Sequence, residues 1–296
     1  MTLHFLPEGP ALVIAGTERV LVIADLHIGI ESDLDVHGVH IPSQTRGRVD
    51  RVVACIEAGR PDLVLLLGDV KHSVPLTTRQ EYREIPALFE EIRSRVPLRL
   101  VPGNHDGGIE RFLREGELLP MRGALIDGIG YLHGHTYPDP SLLGHLLVIG
   151  HHHPMVSLRD EVGCALRDRA YLLTSVDEGC LGLSKKGRRE AEGEAGGDTG
   201  AAGGYQAENG KGRKDGGAGG NEKWGQTRGG KSTGGDGSSC TRVLVMPAFN
   251  EFTGFDITRL RESGLGPLSK CMDFPNAEVF LTDGTYLGLL GCLGEE

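Results

Sequence analysis

Five short apolar runs in this chain each end in Asp, Asn or His, and that repeated junction limits the fold more than any other feature. Residues 20–24 lead into Asp25-Leu26-His27, residues 62–67 into Gly68-Asp69-Val70-Lys71-His72, and residues 98–101 into Gly103-Asn104-His105-Asp106. Farther on, residues 129–132 lead into His133-Gly134-His135, and residues 146–149 into Gly150-His151-His152-His153. Runs this short, rich in branched apolar residues and bounded by Gly or Pro, have the character of buried strands. In open α/β sheets the carboxyl ends of strands border the crevice that binds ligands, so the five junctions can converge on one site. Eight of the twelve histidines lie in these stretches, and core packing alone gives no reason for that clustering.

The segments between the runs set the architecture. Val49, Val52, Val53 and Ile56 recur at i, i+3, i+4 and i+7, which predicts a helix with one buried stripe, starting near Pro42-Ser43. Tyr82, Ile85, Leu88, Phe89 and Ile92 predict a second helix, with Pro86 at its start or at a kink. The first half therefore reads β-α-β-α-β. Beyond residue 120, strands are expected at 122–127, 129–133, 145–150, 164–174, 242–247, 276–281 and 284–289, without long helices between them. The expected class is α/β (α+β): a four-layer αββα sandwich of two mixed sheets flanked by helices.

One stretch does not belong to that body. Of the 46 glycines, 19 fall between Gly187 and Cys240, and no Leu, Ile, Val, Met or Phe occurs between Leu183 and Val243. Such a composition buries too little apolar surface to offset the entropy of ordering. Residues 185–240 are expected to be a disordered insertion in a single domain built from 1–184 and 241–296. Gly225–Ser232 matches a phosphate-binding loop in letters only, because it lacks the preceding strand and following helix that such a loop needs. The net charge of −10 argues against a surface built chiefly to hold nucleic acid. The six cysteines contain no Cys-x-x-Cys pair, so reduced thiols are expected. With no long apolar run and no signal-peptide pattern at the N-terminus, a cytosolic protein without membrane partners is expected.

The side chains at the junctions share one chemistry. Two carboxylates, one amide oxygen and several imidazoles are donors of intermediate hardness, suited to Mn²⁺, Fe²⁺, Zn²⁺ or Ni²⁺. In an extended segment, Asp25 with His27, and His151 with His153, would share one face, while His135 and His152 would point elsewhere.

In order, these junctions read Asp-x-His, Gly-Asp, Gly-Asn-His-Asp, His-Gly and Gly-His-x-His, and as an ordered set they resemble the calcineurin-like metallophosphoesterases. The resemblance covers residues 25 to 153, about half of the chain. It implies a two-sheet sandwich with helices outside and a pair of divalent metal ions, Mn²⁺ first among the candidates. It implies Asp25, His27 and His153 as ligands of one ion, Asn104, His133 and His151 of the other, and Asp69 as the bridge. His105 would then donate a proton or stabilise the leaving oxygen, with Asp106 orienting it. The implied reaction is in-line hydrolysis of a phosphate ester by hydroxide formed between the ions. His72, where many phosphatases of the family carry Asp or Asn, resembles the exonuclease branch of double-strand-break repair. Met246–Asn250 and Thr282–Tyr286 resemble the archaeal and ligase-associated phosphoesterases related to it. A phosphodiester of a nucleotide or nucleic acid is the expected substrate. A phosphomonoesterase or small-nucleotide hydrolase is the alternative, and a non-catalytic scaffold the remote one. The sequence does not indicate an oligomeric state.

Overall fold

A computed structural model describes residues 1–159, 165–182, 240–260 and 265–293. The Gly-rich stretch 185–240, apart from Cys240, and the look-alike loop at 225–232 lie outside the described residues. Within them, two mixed sheets stack face to face. The first has the order β1 (Thr2–Leu6), β2 (Ala11–Ala15), β3 (Arg19–Ile23), β4 (Leu63–Leu67), β5 (Leu98–Val101). Strands β3, β4 and β5 run parallel, and β1 and β2 extend the sheet antiparallel from β3.

The second sheet is centred on β10 (Ala165–Asp177), which pairs antiparallel with β9 (Pro154–Arg159), β11 (Cys240–Val245) and β13 (Glu278–Leu281). From β11 the pairing continues in parallel through β8 (Leu146–Ile149) to β7 (Ile129–Leu132), with β6 (Ala124–Ile126) antiparallel at one edge. At the other edge lies β12 (Phe255–Asp256), parallel to β9, while β14 (Tyr286–Leu289) flanks β13.

Alternation along the strands builds three apolar layers. Val20 and Val22 of β3, with Leu63, Leu65 and Leu67 of β4, face the second sheet and meet Tyr131, Val148, Tyr171 and Leu244. Their neighbours Leu21, Ile23, Val64 and Leu66 face the helices. That cover is α1 (Ile30–Val36), α2 (Thr45–Gly59) and α3 (Arg79–Arg93). Val52 and Ile56 of α2, and Ile85, Leu88, Phe89 and Ile92 of α3, are buried against the sheet. The outer face of the second sheet is covered mainly by turns and short helices. Leu142, Leu268, Met272 and α4 (Ile257–Leu260) close it. No helix of the described residues is long and apolar enough to cross a membrane.

Several local expectations change. Helix α3 begins at Arg79, not at Pro86, because Thr78 and Glu81 form a reciprocal cap that satisfies two free amides. Tyr82 is exposed and leaves the buried stripe, its ring lying against Phe112 and Arg111. Strands β1, β2, β9 and β12 and helix α1 were not foreseen. The expectation of reduced thiols fails at one pair: Cys180 and Cys271 form a disulfide across 91 positions of sequence. Spacing could not reveal it, because the pairing depends on β10 and the turn at 269–271 meeting in space.

Candidate metal centre

The parallel pairing of β3 with β4 continues past the last apolar residue of each strand and carries the junctions with it. Asp25 N–H donates to Gly68 O (3.1 Å), His27 N–H to Asp69 O (2.8 Å) and Ile28 N–H to Val70 O (2.8 Å). The expected extended backbone is not what turns the side chains inward. Asp25, His27, Asp69, His151 and His153 all have positive φ, between 44° and 69°. Of the seven non-glycine residues with positive φ among the described residues, five are these. Left-handed backbone costs a non-glycine residue about 1–2 kcal/mol, so the surrounding contacts must hold it. Two glycines make room. A Cβ on Gly68, itself at φ 78°, would sit 2.2 Å from His133 Nδ1, and one on Gly103 would sit 2.2 Å from Asp69 Oδ1. The Gly-Asp and Gly-Asn-His motifs thus reflect site atoms occupying the places of side chains.

The junctions of both sheets meet in two clusters. Asp25, His27 and His153 form one, with His153 Nε2 3.2 Å from Asp25 Oδ1 and 3.5 Å from His27 Nε2. Asp69, His133 and His151 form the other, and Asn104 Oδ1 lies 3.3 Å from His133 Nε2. Asp69 stands between them: its Oδ2 is 3.8 Å from His27 Nε2 and 3.4 Å from His133 Nε2. Its Oδ1 accepts from His105 N–H (2.8 Å), which leaves Oδ2 facing both clusters. A third group, His27, His72 and His105, adjoins the first. The His72 and His105 rings stack 5.6 Å apart, and each is partly exposed. All ten residues singled out from the sequence are therefore at or beside one centre.

The expected part of Asp106 is overturned. Its oxygens accept from Val70, Lys71 and Gly103 N–H, so it ties the loop after β4 to the loop after β5 and does not orient the His105 ring. His105 Nδ1 pairs with the carbonyl of His72 instead. His152 is buried and pairs with Gly150 O, while His135 lies with its ring 5.2 Å from that of His133.

A family model described as calcineurin-like phosphoesterase matches residues 18–171. The chain belongs to that family. No curated protein matches it significantly. Among solved structures it is similar to a nuclease MPE of Pseudomonas putida, at 16% identity and a TM-score of 0.50, covering 95% of this chain and 94% of that one. The E. coli phosphoesterase Yfce aligns at 19% identity and a TM-score of 0.31, over 48% of this chain and 73% of the other. The Pseudomonas likeness supports the two-sheet fold.

The electrostatics of this phosphoesterase centre suit divalent cations. Burial, then the neighbouring His153, pushes His27 down to about 3, so its ring is neutral and offers a lone pair. Burial alone would raise Asp69, but His133, His27 and His105 outweigh it and hold the carboxyl well below its usual range. At His133 burial opposes protonation, yet the Asp69 charge wins and raises the ring to about 9. A proton there stands where a cation would otherwise balance the carboxylates. Asp25 Oδ1 and His153 Nδ1 are buried without a hydrogen-bond partner. Two buried carboxylates and the imidazoles that converge on them, with Asp25 Oδ1 3.2 Å from His153 Nε2 and 3.7 Å from His133 Nδ1, fit a pair of divalent ions.

Tertiary neighbours complete the centre. His133 Nδ1 donates to Leu67 O (2.9 Å), and His151 Nε2 pairs with Leu265 O, which leaves the other nitrogen of each ring for the site. Asn250, fully buried, donates from Nδ2 to the carbonyls of Leu26 and His27, and its N–H donates to Asp25 O. It holds the left-handed turn at 25–27. Asn250 ends the Met246–Asn250 stretch singled out in the sequence for its resemblance, but nothing in one sequence ties residue 250 to residue 27.

Proposed function

We propose that the protein is a two-metal phosphodiesterase acting on nucleotide or nucleic-acid phosphodiesters, with Mn²⁺ as its metal. Asp25, His27 and His153 would hold one ion, Asn104, His133 and His151 the other, and Asp69 Oδ2 both. When bound, such a pair supplies an activated water near neutral pH and neutralises the phosphoryl oxygens. The chain's own residues do the rest. His105, anchored through Nδ1, keeps Nε2 free on the partly exposed side of the centre, 3.9 Å from Asp69 Oδ2, and gives a proton to the departing oxygen. His72, stacked on it, shares that task. Asp106, Asn250 and the Leu67 and Leu265 carbonyls keep loops and rings in register.

The observation that carries the diester reading is the His72–His105 pair. Two stacked, partly exposed imidazoles beside the clusters would supply the proton that a poorly acidic alcohol takes on leaving. Among the described residues, the ion-pair partners of Asp25 and Asp69 are imidazoles, with no arginine or lysine among them. The reading also accords with the nuclease-branch resemblance of His72 and of the stretch at 246–250, and with the name of the Pseudomonas putida neighbour, a nuclease.

Turnover of bis-p-nitrophenyl phosphate and p-nitrophenyl phosphate by Mn²⁺-loaded protein, with single-stranded and duplex DNA alongside, tests it. Preference for the diester and cleavage of DNA are expected. Preference for the monoester would establish the alternative, and inactivity on all four with metal bound would leave a scaffold.

A further inference from the structure

Beside His153 an aromatic ring stands exposed. Phe255 is 45% accessible. Its ring lies in an offset stack on that of His153, with centroids 5.9 Å apart and planes at 24°. It is firmly placed: its N–H donates to His153 O (2.8 Å), and β12 pairs in parallel with β9 at the sheet edge. Gly254 packs so closely that a Cβ there would meet Met155 Sδ at 1.9 Å. Single exposed apolar residues are ordinary on a protein surface. An exposed ring held nearly parallel to an imidazole of the metal centre is not explained by packing alone.

We propose that Phe255 is the platform on which a nucleobase of the substrate stacks, next to the phosphodiester being cleaved; this rests on the diesterase reading above. Ring contacts link Phe255 to the proposed proton donor: Phe255 meets His153, His153 meets His27 with centroids 5.2 Å apart, and His27 meets His72 and His105 at 5.2 and 5.1 Å. A phosphate held by the ions among these rings, with its leaving oxygen toward His105, would have its retained nucleoside within reach of Phe255. Stacking on an exposed aromatic face is tolerant of base identity, so the platform selects for a base being present and not for its sequence. It also accords with the net charge of −10, since stacking on a base does not depend on neutralising phosphates.

Two phosphodiesters with one leaving group isolate this contact: thymidine 5′-(p-nitrophenyl phosphate) and methyl p-nitrophenyl phosphate, each with Mn²⁺-loaded wild-type, Phe255→Ala and Phe255→Trp proteins. The wild type is expected to favour the thymidine compound through KM. Phe255→Ala should lose about 5- to 150-fold of that preference, with kcat/KM on the methyl ester little changed, and Phe255→Trp should keep it. Equal losses on both substrates would overturn the proposal and assign the ring to the packing of His153 or to the leaving group. An unchanged preference in Phe255→Ala would also overturn it. Failure of the wild type on both diesters while it hydrolyses p-nitrophenyl phosphate would overturn the diesterase reading itself, and the platform with it.

Discussion

The two sheets contribute to the centre in different ways. The first sheet holds its share through the main chain: the loops after β3 and β4 are zipped together by Asp25, His27 and Ile28 amides, and Asp106 fastens the loops after β4 and β5 with three more. The second sheet delivers imidazoles whose direction is set one ring at a time, His133 by the Leu67 carbonyl and His151 by that of Leu265. The carboxylate side is thus built into the backbone, whereas the imidazole side depends on which nitrogen carries the proton. Removing an anchor on the first side should disturb the whole centre. Removing one on the second should cost a single function.

The largest break in that contrast is expected from Asp69→Ala. Its carboxylate faces both clusters and also receives the His105 amide, so metal content should fall from two ions toward none, with activity lost; elemental analysis showing two retained ions would contradict the assignment. His105→Ala is the contrasting case on the same sheet, because its ring, in the loop after β5, is not among the residues assigned to the ions. Metal should stay and kcat should fall by about 10²- to 10⁴-fold, the usual range for lost general-acid help. Equal metal loss in both variants would erase the distinction.

Asn250→Ala sharpens the comparison from the tertiary side. It removes two buried hydrogen bonds to the carbonyls of residues 26 and 27, each worth about 0.5–1.5 kcal/mol net. Denaturant unfolding should register a loss of that order, together with weaker metal binding. A normal midpoint with normal metal affinity would show that the turn holds itself.

A smaller, graded test is pH. His133 is raised from 6.5 to about 9 by Asp69, against its burial. The metal-free protein therefore gains stability from this protonation fully below about pH 6.5, and loses it as pH rises through about 9. Metal must displace the same proton, so metal affinity should run the other way and rise by up to tenfold per unit over that interval. Titrations in buffers of different ionisation heat would count the released proton; a pH-independent affinity would place no proton on the ring.

How much of this was legible in the sequence differs between the regions. The parallel strands β3, β4 and β5 and the helices α2 and α3 followed from periodicity, because parallel strands buried on both faces read as unbroken apolar runs and these helices carry stripes at helical spacing, whereas β1, β2 and α1 did not. The start of helix α3 was left open, at Pro86 or before a kink there, since Pro86 is conspicuous and the Thr78–Glu81 cap is not. On the second sheet the outer cover is made of turns and one-turn helices, which leave no periodic trace. The Cys180–Cys271 link escaped notice for the same reason: its partners are near only once β10 and the 269–271 turn are packed. All seven residues named as metal ligands stand together, but the geometric argument for two of their spacings did not survive. Asp25 and His27, like His151 and His153, face inward through left-handed backbone and not through strand alternation.

By itself, the sequence determined which chemistry is present and at which strand ends, because donor identity and order along the chain are covalent facts that short apolar runs punctuate. Only the tertiary structure decided how those donors are aimed. Backbone held at positive φ, a ring nitrogen committed to a distant carbonyl, and an asparagine more than two hundred residues away that grips the first loop are all paid for by contacts between segments that no local pattern connects.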